Sequence, residues 1–283
     1  MQNAERFLLA PARLGSILNI PAMPLSSRQI KTLHAYRQKK FRREDDVFVA
    51  ETPKVVEMLL DSPLTLRALY ALSDYAEAVG QRFPGCRPLL QVISEQELER
   101  ISGLTSPQHV FGVWAQPHRP LAPTEAFQGI SLVLDGLQDP GNLGTIIRIA
   151  DWFGIDRLIC SEDTADAFQP KCVQASMGAV ARLPIHYVDL VRTAALAPDG
   201  FPFYGTFLEG ENIFEQPLAT PNAWYFIGNE SHGIRPATAA LINRKIHIPT
   251  FAPITEPHRP HAAESLNAAV AAGILCAQIR TRK

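Results

Sequence analysis

An α/β protein with a mostly parallel sheet, preceded by a smaller α/β unit, is the fold class this sequence predicts. Three observations carry that expectation. Short apolar runs of buried-strand type recur between segments of helical periodicity. The alternation is strongest in the second half of the chain, as parallel sheets covered on both faces require. A stretch with three prolines in seven residues, Pro117–Pro123, can continue neither a helix nor a central strand and reads as a linker. The expected division is therefore 1–116, a linker over 117–123, and 124–283.

In chain order, Ser27 is a candidate cap for a helix with Ile30, Leu33 and Tyr36 along one face. Pro53 suits the first turn of a second helix containing Val55, Val56, Leu59 and Leu60. Leu66–Leu72 and Leu89–Ile93 read as strands, Ser94 with Glu97 as a capping box, and Val110–Ala115 as a closing strand. After the linker, Ile130–Leu134 is an apolar strand run. A Gly/Pro/Asn loop and a helix over about Leu143–Phe153 follow, with Gly154 as the expected C-cap. Arg157–Cys160, Leu183–Val188, Phe203–Phe207, Trp224–Ile227 and Lys245–Ile248 read as further strands, and Glu264–Arg280 as the last helix.

The 283 residues are 46% hydrophobic and 19% charged, which excludes a mainly disordered chain. A net charge of −1 excludes a uniformly basic coat, but residues 1–43 carry nine basic residues and one acid, Glu5. Contact with a polyanion is expected to begin there. Arg37, Lys39, Lys40, Arg42 and Arg43 are the candidates for phosphate, with Tyr36 and Phe41 available for stacking. A solvated amphipathic helix explains the same pattern equally well. The four cysteines form no CxxC pair, so a zinc ribbon is not expected. No stretch approaches the roughly 20 apolar residues of a membrane helix, and nothing resembles a signal peptide. A reduced, cytoplasmic protein is the expectation.

Three segments carry chemistry. In Asp139–Arg148, Pro140, Gly141 and Gly144 punctuate a strand-to-helix turn, Asn142 is a candidate helix cap, and Arg148 is an unusual cation among Ile146, Ile147, Ile149 and Ala150. Taken alone, a snorkelling arginine explains it. Neither a Walker loop nor GxGxxG is present. In Phe226–Ile234, glycines at 228 and 233 flank Glu230 at the carboxyl end of a strand, where open α/β sheets place ligands. A structural turn is the plain alternative. In Glu264–Leu275, small residues permit close helix approach, and Ser265 and Asn267 add polar groups at the first turn. A capped core helix accounts for the alanines well and for Asn267 poorly.

These three segments, in this order, resemble the SpoU/TrmH family of RNA ribose 2′-O-methyltransferases, of the SPOUT superfamily. Asn142, Gly144 and Arg148 match its first motif. Gly228, Asn229, Glu230, Gly233 and Ile234 match the second, and Ser265, Leu266 and Asn267 the third. Tyr36–Glu44 also looks like the substrate-binding module many members carry, with less specificity. The resemblance implies a trefoil knot in the sheet, which general topology rules would disfavour. It implies a homodimer through the knotted domain and S-adenosylmethionine as methyl donor. By position, Gly205, Thr206, Ile227, Gly228, Asn229, Gly233, Ile248 and Leu266 are expected to hold that cofactor. The implied catalytic set is Arg148, Asn142, Glu230, Ser265 and Asn267, and no metal is required. The family gives the proton-accepting step to the first-motif arginine. Arginine is effectively always protonated. The preferred role for Arg148 is therefore to hold a backbone phosphate and stabilise the developing alkoxide.

One departure stands out. Thr250–Ala263 is longer than in relatives, rich in proline and histidine, and free of glycine. A solvated insertion is the favoured explanation. Covering the cofactor pocket, or touching RNA through His258, Arg259 and His261, are the alternatives. A metal site at His258 and His261 would lack further ligands. The expected substrate is structured RNA, with ribosomal RNA favoured over tRNA by family analogy. A knotted RNA-binding protein without catalysis is the second reading.

Overall fold

The computed structural model describes residues 24–215, 217–218, 220–251 and 265–281. In the first half, α1 (Ser27–Ala35) and α2 (Lys39–Glu44) precede β1 (Val47–Glu51) and α3 (Pro53–Leu60). There follow β2 (Leu66–Ala71), α4 (Ser73–Arg82), β3 (Leu90–Val92), α5 (Glu95–Ile101) and β4 (Val110–Ala115). The four strands form one sheet in the order β1-β4-β2-β3, antiparallel at β1–β4 and β4–β2 and parallel at β2–β3. Ser26, not Ser27, caps α1, in a reciprocal box with Gln29. Choosing between adjacent serines turns on which one keeps extended backbone, and Ser26 does (ψ 153°). The Ser94–Glu97 box on α5 is as expected. Leu89 belongs to a 3₁₀ turn over Pro84–Leu89, so β3 starts one residue later.

The second half runs α6 (Pro123–Ala126), β5 (Ile130–Asp135), α7 (Pro140–Trp152), β6 (Arg157–Ser161), α8 (Pro170–Ser176) and β7 (Ile185–Val188). It continues α9 (Leu190–Ala194), β8 (Phe203–Asn212), β9 (Ala223–Gly228), α10 (Pro236–Ala239), β10 (Arg244–His247) and α11 (Ala268–Thr281). Six strands pair in the order β10-β8-β9-β5-β6-β7, and every pairing is parallel. All six residues of β5 are buried, which is why the run reads apolar on both faces. The order reverses at β5: β6 and β7 lie on one side, β9 and β8 on the other. The carboxyl ends of β5 and β9, with Asp135 opposite Gly228, form the switch point where such sheets bind ligands.

α7 starts earlier than its apolar residues suggest. Asp139 caps it by accepting from the Asn142 amide (2.8 Å), and Pro140 fills the first turn, so Asn142 lies inside the helix rather than capping it. Leu143, Ile146, Ile147 and Ala150 form its buried stripe. β8 is longer than the predicted strand because five residues, 206–210, leave its ladder with β10 before pairing resumes at Glu211. α11 begins at Ala268; Glu264 and most of the 250–263 segment lie outside the described residues.

One apolar cluster spans both halves, from Phe48, Val56 and Leu59 to Phe168, Val173 and Val180. The Phe48 and Phe168 rings are 5.2 Å apart. The four cysteines are buried free thiols, and burial pushes the Cys276 thiol up to about 12. No helix among the described residues is long and apolar enough to cross a membrane.

Candidate active site

The site forms at the carboxyl edge of the six-stranded sheet, where three segments distant in sequence meet. Asn142, in the first turn of α7, donates from Nδ2 to Glu230 Oε1 (2.6 Å) and accepts from Asn267 Nδ2 (3.0 Å). Asn267 caps α11 by accepting from the Ala269 and Val270 amides (2.9 and 3.3 Å), so its side chain serves the helix and the triad together. Lys171 donates to Asp139 (2.8 Å), and this bond, with the Asn142 amide, holds the Asp139 carboxyl below the usual carboxylate range.

The loop after β9 is closed on itself. Asn229 and Gly233 exchange backbone bonds (3.0 and 2.9 Å), while Asn229 Oδ1 accepts from the Ser231 and His232 amides. A Cβ at Gly228 would run into the Gly233 backbone, so only glycine allows this fold-back. Asn229 Nδ2 ties the loop to the Gly136 carbonyl (2.9 Å).

The structure brings Asn142, Glu230 and Asn267 together and leaves Arg148 apart from them. Arg148 lies on the exposed face of α7 with Thr145 and Trp152, and makes no hydrogen bond or ion pair among the described residues. Ser265 and Leu266 are exposed just before α11. Ile227 is buried at the end of β9, and Ile248 packs on the main core beyond β10. Gly205 and Thr206 lie within β8; Thr206 Oγ1 donates to the Phe226 carbonyl (3.0 Å). Arg37, Lys39, Lys40 and Arg43 are exposed.

Arg42 overturns an expectation. It is 2% exposed, donates to the Tyr36 and Arg37 carbonyls (both 2.9 Å), and pairs with Asp166 at 2.6 Å. A guanidinium so enclosed cannot meet RNA phosphate; it joins the two halves of the molecule instead. The basic run hid this because burial of one cation among five depends on an acid 124 positions away.

Sequence reasoning also missed the pair Asp135–Arg235. Asp135 is fully buried at the end of β5 and accepts from Arg235 Nε (2.7 Å), its Nη2 and its backbone amide (2.9 Å). Hydrogen bonding to Asp135 raises the Arg235 guanidinium further above its usual value. An acid closing an apolar strand run was the available signal, since buried carboxylates need partners. The described residues contain no group of three or more His, Cys, Asp or Glu side chains able to hold a metal ion. His258 and His261 fall outside them.

Against known proteins, the SpoU rRNA Methylase family matches residues 129–277, the span that contains all three meeting segments. The chain belongs to the SpoU rRNA methylase family. An MRM3-like substrate binding domain matches residues 27–112. Among relatives of the family, the chain is 28% identical over 260 residues to the 23S rRNA (guanosine(2553)-2'-O)-methyltransferase RlmP of Bacillus subtilis, covering 90% of this chain and 96% of that one. A solved TrmH-family protein from Porphyromonas gingivalis is 37% identical, with a TM-score of 0.79 over 93% of this chain and 100% of that one. The AdoMet-bound rRNA methyltransferase from Sinorhizobium meliloti is 28% identical, with a TM-score of 0.76 over 92% and 97%.

Proposed function

We infer that the protein transfers the methyl group of S-adenosylmethionine to a ribose 2′-hydroxyl of ribosomal RNA. The observation that carries this reading is the hydrogen-bonded triad Asn142–Glu230–Asn267, one residue from each motif, at the switch point of a parallel sheet. The relatives named for rRNA methylation support the substrate class. The residues fit the cofactor. The loop pinned at Gly228 and Gly233 fixes main-chain groups at the sheet edge, Leu266 offers an apolar side chain that is 47% exposed, and Asn267 beside it anchors to Asn142. His247 Nδ1, at the end of β10, is buried without a hydrogen-bond partner among the described residues. Gly205, Thr206, Ile227, Gly228, Asn229, Gly233, Ile248 and Leu266 are the residues we assign to holding it.

S-adenosylmethionine, when bound, would supply an electrophilic methyl group on its sulfonium sulfur, and loss of the methyl would break that S–C bond and leave the neutral thioether S-adenosylhomocysteine. A neutral 2′-hydroxyl is a weak nucleophile, so its proton must be accepted as the new O–C bond forms. Arg148 binds a backbone phosphate beside the ribose and stabilises charge developing on the oxygen, while that phosphate or a water takes the proton. Asn142, Glu230 and Asn267 hold the loops, and Ser265 adds a hydroxyl at the entry to α11. Arg37, Lys39, Lys40 and Arg43 take RNA phosphates from a substrate-binding domain over 1–116, linked through 117–123 to a catalytic domain over 124–283. A trefoil knot in the catalytic domain and a cytoplasmic location belong to the same reading. A second copy of the chain covers the exposed apolar side chains Trp152 and Val270 on the packed helices α7 and α11 (83% and 51% exposed).

Methyl-labelled S-adenosylmethionine, incubated with unmodified rRNA and tRNA pools followed by nucleoside analysis, tests the reading. We expect 2′-O-methylation in the rRNA pool, lowered roughly a hundredfold or more by Arg148→Ala. Transfer to tRNA alone would replace the substrate. Absence of S-adenosylmethionine binding would leave a non-catalytic RNA-binding protein.

A further inference from the structure

Between the two sheets lies a cleft of about 440 Å³ that the methyl-transfer machinery does not use. Val49 and Leu104 wall it on one side and Pro170 on the other. Its polar groups are few and placed. Glu51, 6% exposed, is held by the Ser102 hydroxyl and the Gly103 amide (2.9 Å to Oε1), and Oε1 keeps acceptor capacity. Across the gap, the Gln174 amide reaches Thr52 Oγ1 at only 3.4 Å, long for a hydrogen bond. Thr52 itself has φ 77°, a left-handed backbone that a β-branched residue rarely adopts. Strain of this kind gathers at ligand sites. Two cations stand at the rim: Arg37 lies against Gly103, and on the opposite wall Lys171, paired with Asp139 at 2.8 Å, keeps 62% of its side chain exposed.

We propose that this cleft receives one nucleobase of the RNA, near the methylated ribose along the strand. Its apolar walls suit the two faces of a base, and Glu51 and Gln174 suit its hydrogen-bonding edge. Arg37 and Lys171 are set for the flanking phosphates. Apolar walls with a few fixed polar groups are the usual make-up of a small-ligand site. RNA read in single-stranded form commonly splays its bases into such places. Position favours the same occupant. Gly141, which lines the cleft, precedes Arg148 by seven residues on α7, so the two share a helix face about 10 Å apart. A strand held at Arg148 and continuing along that face reaches the cleft. The proposal takes its RNA from the methyltransferase reading and its location from the cleft alone.

The test compares a short random-sequence RNA with an abasic ribose-phosphate strand of equal length, by fluorescence anisotropy on the full chain. Wild-type protein is expected to prefer the base-bearing strand by about tenfold, the worth of one or two hydrogen bonds to the base edge. Leu104→Trp, which fills the cleft, and Gln174→Ala, which strips its edge, each remove most of that preference. Neither changes affinity for the abasic strand or for S-adenosylmethionine. If Leu104→Trp fails to fold by thermal melting, Gln174→Ala carries the comparison. A preference absent from wild type, retained in the folded variants, or lost together with abasic binding overturns the proposal. A wild-type protein that shows the preference yet methylates no RNA keeps the cleft and removes the enzymatic reading instead.

Discussion

At Arg148 the guanidinium projects from α7 with no partner among the described residues, while two turns away Asn142 is bonded on both sides. The two residues therefore call for different tests. If Arg148 grips phosphate as a planar fork, Arg148→Lys loses at least about tenfold in kcat with S-adenosylmethionine affinity unchanged; near-full activity would refute that role. Asn142→Asp sets a second carboxylate against Glu230. Steady-state kinetics should show a larger loss of kcat than for Glu230→Gln, which keeps the acceptor for Asn142 Nδ2. His186 gives a pH signature. Burial lowers its pKa, and its ring bonds the Arg119 carbonyl (2.7 Å). The unfolded state then binds more protons than the native state below about pH 6.5. Stability from this residue is complete above that pH and falls as pH drops toward the folded value. Urea midpoints at pH 7.5 and 5.5 should show the drop, and His186→Gln should shrink it. At this scale the motif residues stood out only as a set: alone, Arg148 reads as a snorkelling cation and Glu230 as part of a turn, and it is the order of the three segments that singles them out. Asp135–Arg235 and Arg42–Asp166 were not legible, since local spacing carries no trace of a partner about a hundred positions away.

Among the elements, the apolar strands were the most readable. β5, β6 and β9 lie within one residue of their runs at each end, because a strand buried on both faces has no polar interruption. β8 was harder. Residues 206–210 leave its ladder with β10, and an excursion of that sort follows from neighbouring strands rather than from a repeat in the chain. Helix contacts explain a glycine that turn chemistry had claimed. A Cβ at Gly144 would sit 2.5 Å from the Cys172 carbonyl oxygen and 2.6 Å from the Ala175 Cβ, so α7 and α8 meet backbone to backbone. Gly144→Ala should therefore destabilise the protein by about 1–3 kcal/mol despite its better helix propensity. Equilibrium urea unfolding measures this, and an unchanged midpoint would mean that the two helices separate freely. At the far end of α7, Arg280 of α11 donates to the Phe153 carbonyl (2.8 Å), pinning α11 across the helix that carries Arg148.

For the molecule as a whole, the segments on either side of 117–123 are packed against each other. Phe48 and Phe168 share one core, and Arg42 crosses to Asp166. Removing one member of such an enclosed pair strands the other, so Arg42→Ala should cost about 3–5 kcal/mol. Calorimetry should also show whether the two halves then melt separately. The proposed pairing of two copies predicts that Trp152→Glu yields a monomer in analytical ultracentrifugation; an unchanged sedimentation profile would place the contact elsewhere. The buried arginine has a further consequence for recombination. Exchanging the first 116 residues with those of a relative would bring in a new position 42 while leaving Asp166 behind. A chimera whose incoming residue 42 is not arginine leaves Asp166 enclosed without its cation, so such an exchange is expected to lower the melting temperature unless position 166 is changed with it.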